Sequence, residues 1–153
     1  MPHIHDKIDF TVETLIVHKD KVLLRMHDKY KLWLGVGGHI ELDEDPNQAA
    51  IREAKEEVGL DIELVPTHQF SKNIPEYKEL IAPVFLNRHK INETHEHVTL
   101  WFFARSNSDR VAPNEPETKE YKWFTRAELD DPRYQIRDSI IFYAKAALDQ
   151  LSS

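Results

Sequence analysis

The stretch from residue 38 to residue 60 sets Glu44, Arg52, Glu53, Glu56 and Glu57 at intervals that a helix and its entry loop bring to one place. Glu53 and Glu57 are four residues apart and Glu56 follows Glu53 by three, so a helix can turn all three toward one side. Two bare carboxylates about 6 Å apart repel by roughly 3 kcal/mol at an effective dielectric near 20. A divalent cation removes that penalty and becomes the dominant local charge. An all-carboxylate donor set favours a hard ion, so Mg²⁺ is the expected cofactor, with Mn²⁺ as a substitute. Arg52 lies four before Glu56, and a bidentate guanidinium there can hold Glu44 or one of the glutamates in place. The competing reading is a solvated acidic helix face with i,i+4 pairs. The flanking Gly37, Gly38 and Gly59, with Glu44 and Arg52, weigh against it.

The surrounding pattern reads as alternating strands and helices. Residues 10–18 alternate as a strand, residues 21–25 pair with it across Lys19-Asp20, and residues 32–36 form a third apolar strand. The last runs into Gly37-Gly38, where the backbone can turn sharply or approach a ligand closely. Asp45 suits a helix N-cap, Pro46 the first helical position, Gln48 the reciprocal capping partner and Gly59 the left-handed stop. Ala50, Ala54 and Val58 give that helix a narrow stripe of small residues, so it packs close to a sheet. Further strands are expected over residues 61–65, 80–87, 95–105 and 121–124. A capping box at Thr125 opens a short helix, and an amphipathic helix spans 137–151. Residues 66–79 and 88–94 read as polar connections suited to substrate loops. The sum is a mixed sheet with helices on both sides, and residues 1–153 form a single domain with no visible linker.

Composition excludes several classes. A net charge of −7 makes a poor generic surface for DNA, RNA or anionic membrane, because such partners need clustered Lys and Arg. No apolar run approaches the roughly 20 residues of a membrane span. Residues 1–6 lack the basic start and apolar run of a secretory signal. The chain has no cysteine, which excludes disulfides and thiolate metal sites and fits a cytoplasmic location.

Outside the central stretch, His95 and His97 share a strand face and are candidates for phosphate contact or proton transfer, or for hydrogen-bonded strand residues. His39 is placed to touch a substrate or to brace the loop. Tyr30, Phe70 and Tyr77, near loops, are the candidates for stacking on a base, whereas Trp33 and Trp101 read as core. His3 and His5 read as a mobile terminus. With His18, His27, His68 and His89 scattered, the spacing suggests no transition-metal motif.

Read together, residues 38–60 make the pattern G-x5-E-x7-R-E-U-x-E-E-x-G-U, with U a bulky aliphatic residue. Seven fixed positions at frequencies of about 5–7% match by chance at a given start about once in 10⁸ or more. This stretch closely resembles the signature box of the Nudix hydrolases. The resemblance implies an α/β (α+β) fold, an α/β/α sandwich around a mixed β-sheet. It also implies Mg²⁺-dependent hydrolysis of a diphosphate bond in a nucleoside diphosphate linked to another group, a small nucleotide, possibly a triphosphate, being the substrate partner. ADP-ribose, sugar nucleotides and dinucleoside polyphosphates are the alternative substrates, with RNA 5′ ends least favoured for so acidic a chain. A non-catalytic nucleotide-sensing module is the alternative from another class, and a homodimer is plausible by resemblance alone. Carried over by residue, Glu53, Glu56 and Glu57 match the metal ligands, with the Gly37 or Gly38 carbonyl as a further ligand. Glu56 or Glu57 is alternatively a general base, and Glu44 and Arg52 match the residues that brace loop against helix. The family often draws its base from outside the box, and Glu93, Glu96, Glu115 and Glu117 are candidates. Two positions depart from the pattern: Ala54 stands where a larger aliphatic residue is usual, and Val36 stands where proline is common.

Overall fold

The structure, a computed structural model, describes residues 7–66, 72–113 and 120–153. Its spine is β1 (Ile8–His18), whose even and odd residues face opposite sides of the sheet. A two-residue turn, with Lys19 at φ 57°, returns the chain antiparallel into β2 (Lys21–Met26). β3 (Trp33–Leu34) pairs with the far end of β2, and β4 (Val36–His39) pairs antiparallel with the first half of β1. After α1 (Pro46–Val58) come β5 (Ile62–Leu64) and a separate small hairpin of β6 (Asn73–Ile74) and β7 (Tyr77–Lys78). β8 (Phe85–Lys90) turns antiparallel into β9 (Glu96–Ser106), which lies parallel to β1 along almost its whole length. β10 (Tyr121–Phe124) closes the edge beside β2, followed by the short α2 (Arg126–Leu129) and by α3 (Asp138–Leu151).

The sheet order β10-β2-β1-β9-β5 is thus mixed, with one parallel pair at its centre. Each face has its own core. Val12, Ile16, Leu23 and Phe102 pack with Ala50, Ala54 and Val58 of α1. Leu15, Val17, Leu24 and Phe103 pack with Ile140, Ala144 and Leu148 of α3. Burying each large apolar side chain contributes roughly 1.5–3 kcal/mol, so both helices are held by the sheet rather than by helical propensity. This is the α/β/α arrangement expected from the sequence. None of the described helices is long and apolar enough to cross a membrane.

α1 is bounded as its sequence dictates. Gln48 donates its backbone N–H to Asp45 Oδ1 and accepts from the Asp45 N–H through Oε1, both at 2.9 Å. Gly59 ends the helix at φ 69°, donating to the Lys55 carbonyl at 3.1 Å.

Three expectations are corrected. The strand expected at 32–36 is two short strands that break at Gly35, because the chain leaves β2 and joins β1 there. The strand expected at 80–87 occupies 85–90 instead. Pro83 has no N–H for a ladder, and Asn47 at the start of α1 grips the Ile81 backbone in both directions, at 2.8 and 2.9 Å. Gly37 and Gly38 are not a sharp turn but part of β4. Their lack of side chains serves close approach, since a Cβ on Gly37 would lie 1.8 Å from the Val12 carbonyl oxygen.

That contact generates a prediction. Gly37→Ala must push β4 off β1, with an expected destabilisation of about 3 kcal/mol or more. Chemical denaturation measures it, and a loss under about 1 kcal/mol would show that β4 is held loosely.

Candidate functional site

α1 turns Arg52, Glu53, Glu56 and Glu57 toward the strand β4 and the loop that joins the two. Arg52 is the hub. Its Nε and Nη2 donate to the two Glu44 oxygens at 2.9 and 2.6 Å, the bidentate geometry of a guanidinium on a carboxylate. Nη2 also donates to the His39 carbonyl at 3.1 Å, while Nη1 donates to Glu53 Oε1 at 3.0 Å and Glu56 Oε2 at 3.1 Å. Glu44 in turn accepts the Glu41 backbone N–H at 3.0 Å, fixing the loop. Arg52 hydrogen bonding holds the Glu44 carboxyl below its usual range, and the Arg52 pKa is raised, first by its hydrogen bond to Glu44.

Glu53 is buried, its carboxylate against Gly38, where an added Cβ would lie 2.4 Å from Oε1. Burial raises the Glu53 pKa and Arg52 opposes that rise. Glu57 is held from the opposite side by Arg25 of β2, with Arg25 Nε 3.3 Å from Glu57 Oε2. Arg25 Nε donates to the Gly35 carbonyl at 2.9 Å, and its Nη2 is 3.6 Å from Glu13 Oε1. Glu13, in the middle of β1, is enclosed by the protein. Burial drives its carboxyl up to about 8 against the pull of Arg25, with Glu57 and Glu53 adding to the rise. Glu13 is therefore largely protonated at neutral pH.

Glu13, Arg25 and the α1 glutamates line a cleft of about 1130 Å³. Gly38, His39, Glu53, Glu56, Glu57 and His97 all reach it, and so does Tyr30 at its rim, stacked on His27 at 4.8 Å. Lys29, Lys90 and Arg137 add positive charge to the walls. His39 Nε2 is 3.3 Å from Asp9 Oδ2, and the His97 ring sits edge-on to His39 at 5.2 Å. Burial and the surrounding imidazoles push His97 down to about 4.

Other expected residues lie elsewhere. Glu96 alternates with His95 and His97, so the strand turns it away from them. It is clamped by Arg88 at 2.8 and 2.9 Å in a separate shallow depression that also holds Glu93. Tyr77 stands on the β6–β7 hairpin with its hydroxyl on Glu79, away from the cleft. His95 does not line the cleft. It is buried behind it, with Nε2 3.1 Å from Asp9 Oδ2. Phe70, Glu115 and Glu117, and His3, His5 and His68, lie outside the described residues.

The sequence reading passed over Glu13 and Arg25. A signal existed: each interrupts an apolar strand with a charge, and a charge on a face that is otherwise buried points to a partner.

The donor set fits a hard divalent ion. Glu53, Glu56 and Glu57 present carboxylates to one cleft, one of them buried against a glycine that leaves room only for backbone, with too little positive charge nearby to prevent its pKa from rising. Fold and site together define a cleft lined by the carboxylates of an acidic helix and by basic side chains. Comparison with known proteins agrees. A model of the NUDIX domain matches residues 11–144, and the chain belongs to the Nudix hydrolase family. It is 36% identical over 104 residues to a dihydroneopterin triphosphate diphosphatase of Haemophilus influenzae, an alignment covering 67% of this chain and 63% of that protein. The chain thus spans under two thirds of that relative's length. A crystal structure of a NUDIX-family hydrolase from Clostridium perfringens superposes with a TM-score of 0.82 at 36% identity, covering 94% of this chain and 98% of the other. A MutT NUDIX hydrolase of Burkholderia pseudomallei shares the fold at a TM-score of 0.62 and 20% identity, over 96% and 100% of the two chains.

The state of Glu13 sets a pH dependence. Its folded pKa, about 8, lies above the ordinary 4.5, so between those values the folded chain binds more protons than the unfolded one. Stability from this group is full below about 4.5 and declines as pH rises toward about 8. Glu13→Gln fixes the neutral form. Its melting temperature relative to wild type should therefore rise as pH goes from 5.5 to 8.5, by several degrees. A difference independent of pH would show that Glu13 is ionised throughout.

Proposed function

We propose that the protein hydrolyses a diphosphate bond in a nucleoside-triphosphate-type substrate, with Mg²⁺ held by Glu53, Glu56 and Glu57. The observation that carries this reading is the opposition within one cleft. Three carboxylates of one helix line the same cleft as Lys29, Lys90, Arg137 and the His27–Tyr30 stack. A polyphosphate has the charge to bridge the two, and a heterocycle has the face to stack on Tyr30. The name of the Haemophilus relative, a triphosphate diphosphatase, supports the same substrate class.

The bound ion would neutralise phosphate charge and lower the pKa of the attacking water. The protein's own part is positioning. Arg52 donates to Glu53 and Glu56 and fastens the entry loop to the helix through Glu44. Arg25 fixes Glu57 from the sheet side. A protonated Glu13 withholds a further negative charge from a site that must accept an anion. Glu56 is the more exposed of the two carboxylates proposed as general base, and is free to meet water at the cleft surface.

The test is release of pyrophosphate and phosphate from nucleoside triphosphates, including pterin and oxidised forms, beside ADP-ribose, sugar nucleotides and dinucleoside polyphosphates. Each is run with Mg²⁺, Mn²⁺ and chelator. Turnover of the triphosphates with Mg²⁺ is expected, abolished by chelator. Preference for a sugar nucleotide or ADP-ribose would replace the substrate assignment. Tight nucleotide binding without turnover would replace the enzyme reading with a sensing module. Glu53→Gln and Glu57→Gln should each lower kcat by about 10²-fold or more with the fold intact. Full activity in both would remove α1 from the chemistry.

A further inference from the structure

We propose that Asp9, His95 and His97 form a binding site for a borderline transition-metal ion of the Zn²⁺ class, separate from the carboxylates of α1. The backbone builds the cluster. Asp9 on β1 lies directly opposite His97 on the parallel strand β9, and His95 is the residue just before that strand, two positions from His97. One donor atom from each of the three lies within 4.8 Å of the others. Asp9 Oδ2 and His95 Nε2 are already 3.1 Å apart. Ligands bonded at about 2.0–2.1 Å around a tetrahedral ion lie about 3.4 Å from one another, a spacing the Asp9–His95 pair already approximates.

The setting suits a metal more than a simple hydrogen-bonded pair. Asp9 is 1% exposed and His95 5%, so the carboxylate and the first imidazole are fixed by packing. An Asp–His pair alone would account for His95. It does not call for the His97 ring edge-on at 5.2 Å to both His95 and His39, or for His89 at 5.8 Å from His97. Two nitrogens and one carboxylate select borderline ions, whereas the all-oxygen set on α1 selects a hard one. Three protein donors leave one coordination position open. His97 and His39 both line the cleft, so that position opens toward the same space as the α1 carboxylates.

The test uses the full chain, stripped with chelator, reloaded with Zn²⁺ in excess Mg²⁺ and dialysed. Elemental analysis of the protein is expected to find one zinc per chain, and Co²⁺ in its place to give the absorption of a low-coordinate nitrogen–oxygen site. His95→Gln and His97→Gln should each weaken zinc binding by about tenfold or more, measured by competition with a chromophoric chelator. Glu56→Gln should retain zinc. His97 is only partly buried, so its variant reports on binding even if substitution of Asp9 or His95 compromises folding, which circular dichroism reads directly. Failure of wild type to retain zinc, unchanged zinc in His97→Gln, or loss of zinc in Glu56→Gln alone would each overturn the proposal. None of these outcomes depends on turnover, so the hydrolase reading stands or falls separately.

Discussion

A single guanidinium organises the acidic end of this molecule. Without Arg52, Glu44, Glu53 and Glu56 would face one another across a few ångströms, each pair repelling by a few kcal/mol at an effective dielectric near 20. With it, one cation donates to all three carboxylates and to the His39 carbonyl. Lysine could not substitute, because a point charge lacks the planar fork that serves Glu44 with one edge and the helix with the other. The entry loop, the orientation of α1 and the spacing of its carboxylates therefore depend on the same side chain. Arg52 does not fully compensate Glu53, whose burial still raises its pKa, and that residue of uncompensated charge is what a cation would relieve.

The sheet supplies a second cation, from the other side. Arg25 sits between Glu13 and Glu57 and serves both imperfectly, at 3.6 and 3.3 Å. One positive charge cannot hold two buried carboxylates ionised. Glu13 is the one whose carboxyl is pushed up, by burial against the pull of Arg25, with Glu57 and Glu53 adding to the rise. A neutral Glu13 removes one of the two carboxylates that compete for Arg25, so a strand residue affects how a helix residue is held.

The legible part of the sequence was the part governed by local chemistry. Asp45, Pro46, Gln48 and Gly59 mark α1 because caps and stops act within a few residues, and the alternation of β1 and β9 assigns their faces because both are buried on two sides. The Glu44–Arg52 brace was likewise readable, being set by spacing along one helix and its loop. Features set by partners distant in the chain were not. The break at Gly35 follows from a change of partner strand, from β2 to β1, and nothing local requires it. The displacement of the 80–87 strand follows from Asn47, over thirty residues earlier. The Glu13–Arg25–Glu57 chain joins three elements. Asp9, which draws His95 and His39 together, was passed over because its partners are eighty-six and thirty residues away in sequence.

The position of the cleft follows from one face of one strand. Along β1, the odd residues change from Asp9, Thr11 and Glu13 to Leu15 and Val17. The apolar end is covered by α3, which packs Ile140, Ala144 and Leu148 over Leu15 and Val17. The polar end is covered differently, because burying a carboxylate, a hydroxyl and an acid against aliphatic side chains would cost several kcal/mol. Its neighbours match it in kind: Thr99 bonds Thr11 at 2.8 Å, His97 stands opposite Asp9, and His39 opposite Thr11, while Thr11, Glu13, His39 and His97 line the cleft. The same strand that closes the core therefore opens the site. Moving the change from polar to apolar by one pair of residues would lengthen or shorten the cleft without altering the topology that holds it.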